Sequence, residues 1–204
     1  MSAPRIGVLA VQGAFAEHTA LLRQLGCDVV DIRKTADLED FDALVFPGGE
    51  STTQRRLIHD LGLYQPLREA LTGGTPALAT CAGMILLARE VREGRGSGVS
   101  EKDAEFARRF PTLGVMPVVV ERNAYGRQLG SFKTVTEMRG VGPVEATFIR
   151  APFIADADAS VEVLARVDGK TVAAQSGALV ALSFHPELDT DAVHRWFLQE
   201  VVAA

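Results

Sequence analysis

Short apolar runs alternate with helical spacing through the first half of the chain. Residues 6–11 are apolar and end at Gln12-Gly13, which predicts a buried strand. From Phe15 onward, Ala20, Leu21, Leu22 and Leu25 recur at helical intervals, and Gly26 closes the segment. Residues 27–32 and 43–46 read as two further strands, the second stopped by Pro47-Gly48-Gly49. Ser51 is the expected N-cap of a helix over 51–61, and 66–71 forms another short helix before Gly73-Gly74. Residues 76–80 are the fourth strand and 82–90 a helix. Repeated strand–helix units imply a parallel sheet covered on both faces.

The second half changes character. Residues 92–111 are polar, charged and glycine-rich, with a helix expected over 101–110. Strand patterns then follow at 115–121, 130–137, 144–150, 161–167, 171–176 and 179–184, and Asp168-Gly169 marks a hairpin. Residues 189–202 close the chain as a helix with Ala192, Val193, Trp196, Phe197 and Val201 on one side. There is no internal repeat. The expected architecture is a single α/β domain over 1–204, with a mostly parallel central sheet and an antiparallel extension in the second half.

Composition narrows the partners. The 204 residues are 47% hydrophobic and 23% charged, ordinary for a globular chain, and no disulfide staple is needed at this size. Lys and Arg total 21 against 26 Asp and Glu, a net charge of −5, which argues against nucleic acid as a partner. The pairs Arg55-Arg56 and Arg108-Arg109 read as solvated helix faces. No apolar run approaches the roughly 20 residues of a membrane span, and the N-terminus lacks the order of a secretory signal. The expectation is a cytoplasmic protein, neither membrane-bound nor disulfide-built, in which a thiol stays reduced. Two cysteines and four histidines without ligand spacing predict no metal, and no cofactor motif stands out. Gly94, Gly96 and Gly98 sit in no strand–turn–helix context and read as a flexible connection. His18, His59 and His194 read as surface or helix-face histidines.

Three places carry chemistry. In Ala79-Thr80-Cys81-Ala82-Gly83 an apolar strand runs straight into a thiol and then a helix. That is the pattern of a nucleophile elbow, whose tight turn requires small residues two before and two after the nucleophile. The Ala82 N–H would face the site, and the helix start would favour thiolate. The other reading of Cys81 is a buried small hydrophobe, which is the reading preferred for Cys27. The second place is His185-Pro186-Glu187 after an apolar strand. A thiol nucleophile needs a base and the base an orienting group. In an extended segment the Glu187 carboxylate would lie on the same side as the His185 ring. A strand-end His-Pro turn with a surface Glu is the alternative. The third place is Pro47-Gly48-Gly49-Glu50-Ser51, where a backbone N–H could join that of Ala82 in an oxyanion hole. All three lie at expected C-terminal strand ends, where open α/β sheets bind ligands. Arg122 and Arg150 end apolar strands and could each clamp a carboxylate.

These blocks resemble the class I, triad-type glutamine amidotransferases. Val11-Gln12-Gly13-Ala14, Gly48-Gly49-Glu50-Ser51-Thr52-Thr53, Thr80-Cys81-Ala82-Gly83, Glu121-Arg122-Asn123, Phe148-Ile149-Arg150-Ala151-Pro152 and Ser183-Phe184-His185-Pro186-Glu187-Leu188 are similar to the glutaminase subunits of pyridoxal 5′-phosphate synthase. The resemblance implies a flavodoxin-like three-layer fold and hydrolysis of L-glutamine to glutamate and ammonia. Cys81 would attack, His185 would move the proton and Glu187 would orient it. Gly49 and Ala82 would form the oxyanion hole. Gly49, Glu50, Ser51, Arg122, Ile149 and Arg150 would bind glutamine. The implied partner is a synthase subunit, in an assembly of twelve of each, which uses the ammonia for vitamin B6 synthesis. Gln12 and the first helix would belong to the docking surface. Ala79 stands where the family usually has glycine, and 92–111 is longer than the family pattern. The rival readings are a glutaminase serving another synthase, a stand-alone cysteine hydrolase on the same fold, and a non-enzymatic interaction module.

Overall fold

Strands covered on both faces need an apolar residue at nearly every position, and the segments 6–9, 43–46 and 77–79 have one, whereas 28–32, at the sheet edge, carries Asp28 and Asp31. The computed structural model describes residues 3–94, 100–122 and 131–203. Gly96, Gly98, Asn123 and the strand start expected at Gly130 lie outside the described residues. The first half runs β1 (Arg5–Leu9), α1 (Phe15–Gln24), β2 (Asp28–Ile32), β3 (Ala43–Phe46), α2 (Ser51–Asp60), α3 (Tyr64–Thr72), β4 (Ala77–Thr80) and α4 (Ala82–Leu87). Next come β5 (Ala88–Glu93), α5 (Glu101–Arg109), β6 (Met116–Arg122), β7 (Ser131–Met138) and β8 (Gly142–Ile149). The chain closes with β9 (Phe153–Ala157), β10 (Glu162–Val167), β11 (Lys170–Ser176), β12 (Leu179–Leu182) and α6 (Ala192–Trp196), then a π-helical turn over Phe197–Val202.

The main sheet is ordered β2-β1-β3-β4-β12-β11-β9-β6-β5, with β10 on β11. From β2 to β12 every pairing is parallel, in the order of a flavodoxin-like sheet. Beyond β12 the pairings turn antiparallel through β11, β9 and β6, and β6 and β5 are parallel again. The pair β7–β8 forms a separate antiparallel ribbon. The fold is therefore α/β, mainly parallel, with antiparallel strands in the second half, as the sequence predicts. Neighbouring residues of one strand feed opposite faces. Val45 and Leu78 join a core with Leu22, Phe148, Phe184 and Phe197. Leu44, Phe46, Ala77 and Ala79 join the other, with Leu67, Met84 and Val118.

Several expectations change. The helix expected over 82–90 stops at Leu87, and Ala88–Glu93 is a strand pairing with β6. Its half-exposed, charged sequence lacks a strand signal, and the pairing comes from the neighbour. The short β9 lacks one for the same reason, since its partners β6 and β11 supply its ladder. The cap of α2 is Glu50 and not Ser51: its carboxylate accepts the N–H groups of Thr52 at 3.0 Å and Thr53 at 2.7 Å. Arg55 is not on a solvated face. Only 6% of it is exposed; its Nε donates to Phe110 O at 2.7 Å, and its guanidinium lies 5.0 Å from the Phe106 ring centre. His18 and His194 are fully buried, not surface residues. In the terminal helical segment the inward side is Val193, His194, Phe197 and Val201.

Candidate active site

Parallel strands β3, β4 and β12 are neighbours, so the segments leaving their C-terminal ends converge. Cys81 leaves β4 with φ 48° and ψ −104°, a conformation few non-glycine residues adopt. Its own N–H is fixed to Leu182 O of β12 at 2.7 Å. The turn is tight: a Cβ on Gly83 would stand 2.0 Å from Phe46 O, and Ala79 is wholly enclosed. Ala82 is the first residue of α4, and its N–H therefore has no acceptor inside the helix.

His185 follows β12, and its N–H is held by Thr147 O of β8 at 2.9 Å. Its Nδ1 lies 2.7 Å from Glu187 Oε1. The contact is made by a 3-10 turn over Pro186–Leu188, closed by Leu188 N–H to His185 O at 3.3 Å. Sequence reasoning paired the same two residues but expected an extended segment. Burial works against a charged imidazole here, yet hydrogen bonds to Cys81 and Glu187 outweigh it and push the His185 pKa up to about 10.

The turn after β3 faces this pair. Gly48 O accepts Ala14 N–H at 2.9 Å, and Gly48 N–H is taken by Thr80 Oγ1 at 3.0 Å. Gln12 Oε1 accepts Glu50 N–H at 2.8 Å, and the buried Gln54 amide donates to Gln12 O and Pro47 O. Among the described residues no acceptor takes the Gly49 N–H, which leaves it available to a ligand. Burial alone would raise the pKa of Glu50, but hydrogen bonds from Thr53 and Thr52 hold its carboxyl below the usual range. That carboxylate is committed to capping and the Glu50 N–H to Gln12, so Glu50 enters the site as part of the cavity wall.

Together these segments bound a cavity of about 360 Å³. Cys81, Ala82 and His185 line it, and so do Gly49, Glu50, Ser51, Arg122, Ile149 and Arg150. Glu187 lies behind His185, its side chain fully buried. Arg122 is held from the side by Glu93 of β5 at 3.3 Å, and Arg150 sits at φ 45°. Among the described residues no group of three or more His, Cys, Asp or Glu is arranged to hold a metal ion, and no helix is long and apolar enough to cross a membrane.

Sequence reasoning missed Thr80, Gln54, Glu93 and the two buried histidines. A signal existed for His18, since Phe15, His18, Thr19 and Leu22 share one face at helical spacing. His194 follows Val193 by one position and lies three before Phe197, on the same inward stripe.

Comparison with known proteins gives the family and the fold. The model of the SNO glutamine amidotransferase family matches residues 8–203. The chain is 47% identical over 200 residues to the pyridoxal 5′-phosphate synthase subunit PdxT of Streptococcus pneumoniae (strain CGSP14), covering 96% of each chain. It is 50% identical over 204 residues to the PdxT subunit of Parafrankia sp. (strain EAN1pec), covering 98% of this chain and 95% of that one. A solved glutamine amidotransferase superposes with a TM-score of 0.85 at 40% identity, covering 98% of this chain and 99% of that one. A glutamine amidotransferase from Thermotoga maritima, TM-score 0.57 at 14% identity, covers 96% of this chain and 81% of that one and shares the fold.

Proposed function

The chain belongs to the SNO glutamine amidotransferase family, and from that premise we propose that Cys81, His185 and Glu187 are the triad with which it hydrolyses L-glutamine. It is the glutaminase subunit of a pyridoxal 5′-phosphate synthase, supplying ammonia for vitamin B6 biosynthesis. The observation that carries the triad is the strained Cys81 in one cavity with His185, whose Nδ1 is 2.7 Å from Glu187 Oε1.

The geometry supports the following course. The Cys81 thiolate attacks the side-chain amide carbon of glutamine, and the carbonyl oxygen becomes an oxyanion. The N–H groups of Gly49 and Ala82 receive it. The His185 imidazolium passes its proton to the departing nitrogen, the C–N bond breaks, and ammonia leaves a thioester on Cys81. Neutral His185 then takes a proton from water, whose oxygen attacks the thioester. Glutamate departs and the thiolate–imidazolium pair is restored. Glu187 fixes the ring tautomer and stabilises the imidazolium without itself exchanging a proton. Arg122 and Arg150 line the same cavity as donors suited to the α-carboxylate of glutamine, with Ser51, the Glu50 backbone and Ile149 shaping the rest.

The partner is the synthase subunit, in an assembly of twelve of each, and Gln12 with α1 forms part of the docking face. The protein acts in the cytoplasm as one domain spanning 1–204 and needs no cofactor of its own. Cys81→Ala tests the reading. With the synthase subunit present, ammonia release from glutamine disappears while synthesis from added ammonium salts continues. Undiminished release would remove Cys81 as nucleophile, and loss of both activities would give it a structural role.

A further inference from the structure

Beneath the triad lies a pair of histidines that the mechanism does not use. His18 of α1 and His194 of α6 meet with Nδ1 of the first 2.9 Å from Nε2 of the second, and both are fully buried. On its other side His18 Nε2 is 3.1 Å from Thr80 Oγ1 and 3.4 Å from Glu187 Oε2. His185 occupies only Oε1 of that carboxylate. Among the described residues Glu187 Oε2 is buried with no hydrogen bond of close geometry, and the ring nitrogen facing it is that of His18. A buried carboxylate oxygen is costly unless a donor faces it.

The proton positions follow from the one nitrogen left over. Among the described residues His194 Nδ1 is buried without a partner. A buried lone pair is tolerated better than an orphaned N–H. His194 therefore carries its proton on Nε2 and donates to His18 Nδ1, and His18 carries its proton on Nε2, toward Thr80 and Glu187. The opposite assignment strands an N–H at His194 Nδ1 and aims a lone pair at a carboxylate. Both rings are neutral. Burial, followed by the neighbouring His194 and His185, holds His18 well below its ordinary pKa. Burial lowers His194 to about 4 against a smaller opposing effect of Asp191.

We propose that His18, oriented by His194, is a positioning residue for glutamine hydrolysis, its Nε2–H holding the second oxygen of Glu187 and bracing Thr80. Thr80 in turn accepts the Gly48 N–H. One buried row of donors thus fixes both the carboxylate behind the base and the turn beside the oxyanion site. The inference rests on the triad reading above.

Two substitutions separate this role from packing. A Gln side chain places an amide N–H near the position of His Nε2, and an Asn side chain reaches only the position of Nδ1. His18→Gln, His18→Asn and Cys81→Ala are assayed in complex with the synthase subunit, together with the pH dependence of Cys81 alkylation by iodoacetamide in the first two. His18→Asn lowers kcat by about tenfold to a hundredfold with KM for glutamine nearly unchanged, since it disturbs alignment and not binding. Its alkylation onset moves up by about one pH unit, because a loosened Glu187 stabilises the imidazolium less. His18→Gln stays within about threefold of wild type on the same reasoning. If His18→Asn does not fold, His194→Leu is read in its place with the same expectation. Equal losses in the Gln and Asn variants, or a wild-type alkylation profile in a folded variant lacking the donor, overturn the proposal while an inactive Cys81→Ala leaves the triad standing. An active Cys81→Ala overturns the triad itself.

Discussion

A Cβ atom on Gly48 would stand 2.2 Å from Cε1 of His185. The glycine after β3 is therefore required by the imidazole that follows β12, and the parallel order β3-β4-β12 is what brings the two together. Gly48→Ala pushes the ring out of line with Cys81. A misplacement near 1 Å costs on the order of a hundredfold in rate. We expect a folded variant whose ammonia release falls by about that factor. Normal turnover in Gly48→Ala would show that the ring does not need this position.

Replacing Glu187 with Gln keeps the shape and removes the charge. His185 is raised from 6.5 to about 10 in the folded protein, so its contribution to stability is complete below pH 6.5 and is lost as pH climbs toward 10. Without the Glu187 charge the folded pKa is lower and that decline is shallower. Unfolding free energy measured in urea from pH 6.5 to 10 reads the difference, and turnover drops in the same variant. Identical slopes in the two proteins would dissociate Glu187 from the charge on His185.

The buried pair acts on the acid side. His194 is lowered from 6.5 to about 4, so unfolding takes up a proton between those values. Its contribution is complete above pH 6.5 and is lost as pH falls toward 4, amounting to on the order of 3 kcal/mol. His18 is lowered for the same reason and adds to the fall. His194→Gln removes one of these proton uptakes, and stability between pH 6.5 and 4 declines less steeply than in wild type. A steeper decline in the variant would contradict the neutral assignment.

Deletion of residues 94–105 leaves glutamine hydrolysis intact in a folded variant. Among the described residues of that stretch none lines the active-site cavity, and the hydrogen bond, ion pair and ring contact that hold Arg122 and Arg55 beside it come from Glu93, Phe106 and Phe110, outside the deletion. Ammonia release in the presence of the synthase subunit is the measurement. Loss of release without loss of fold would assign this segment a part in the reaction.

What could be read from the chain alone was local. The apolar runs of β1, β3, β4 and β12 are long enough and bounded clearly enough to announce buried strands. The residues that end them, Gly48-Gly49, Cys81 and His185-Pro186-Glu187, needed no three-dimensional information to be singled out. The same holds for the small residues Ala79 and Gly83 around Cys81, because the elbow's own turn excludes larger ones.

What the chain alone did not reveal depends on partners distant in sequence. Strands β5 and β9 are strands because β6 and β11 offer them open edges, not because their residues favour it. Arg55 is buried because the segment around Phe106 and Phe110 covers it. His18 and His194 are 176 residues apart, and each looks like a polar residue on an ordinary helix until the two helices close over Glu187. Periodicity along a chain tells which face of an element is covered, whereas the identity of the covering group is set only when the elements pack. For a histidine or an arginine that identity decides whether the side chain meets water, a carbonyl or a carboxylate, and so what it does.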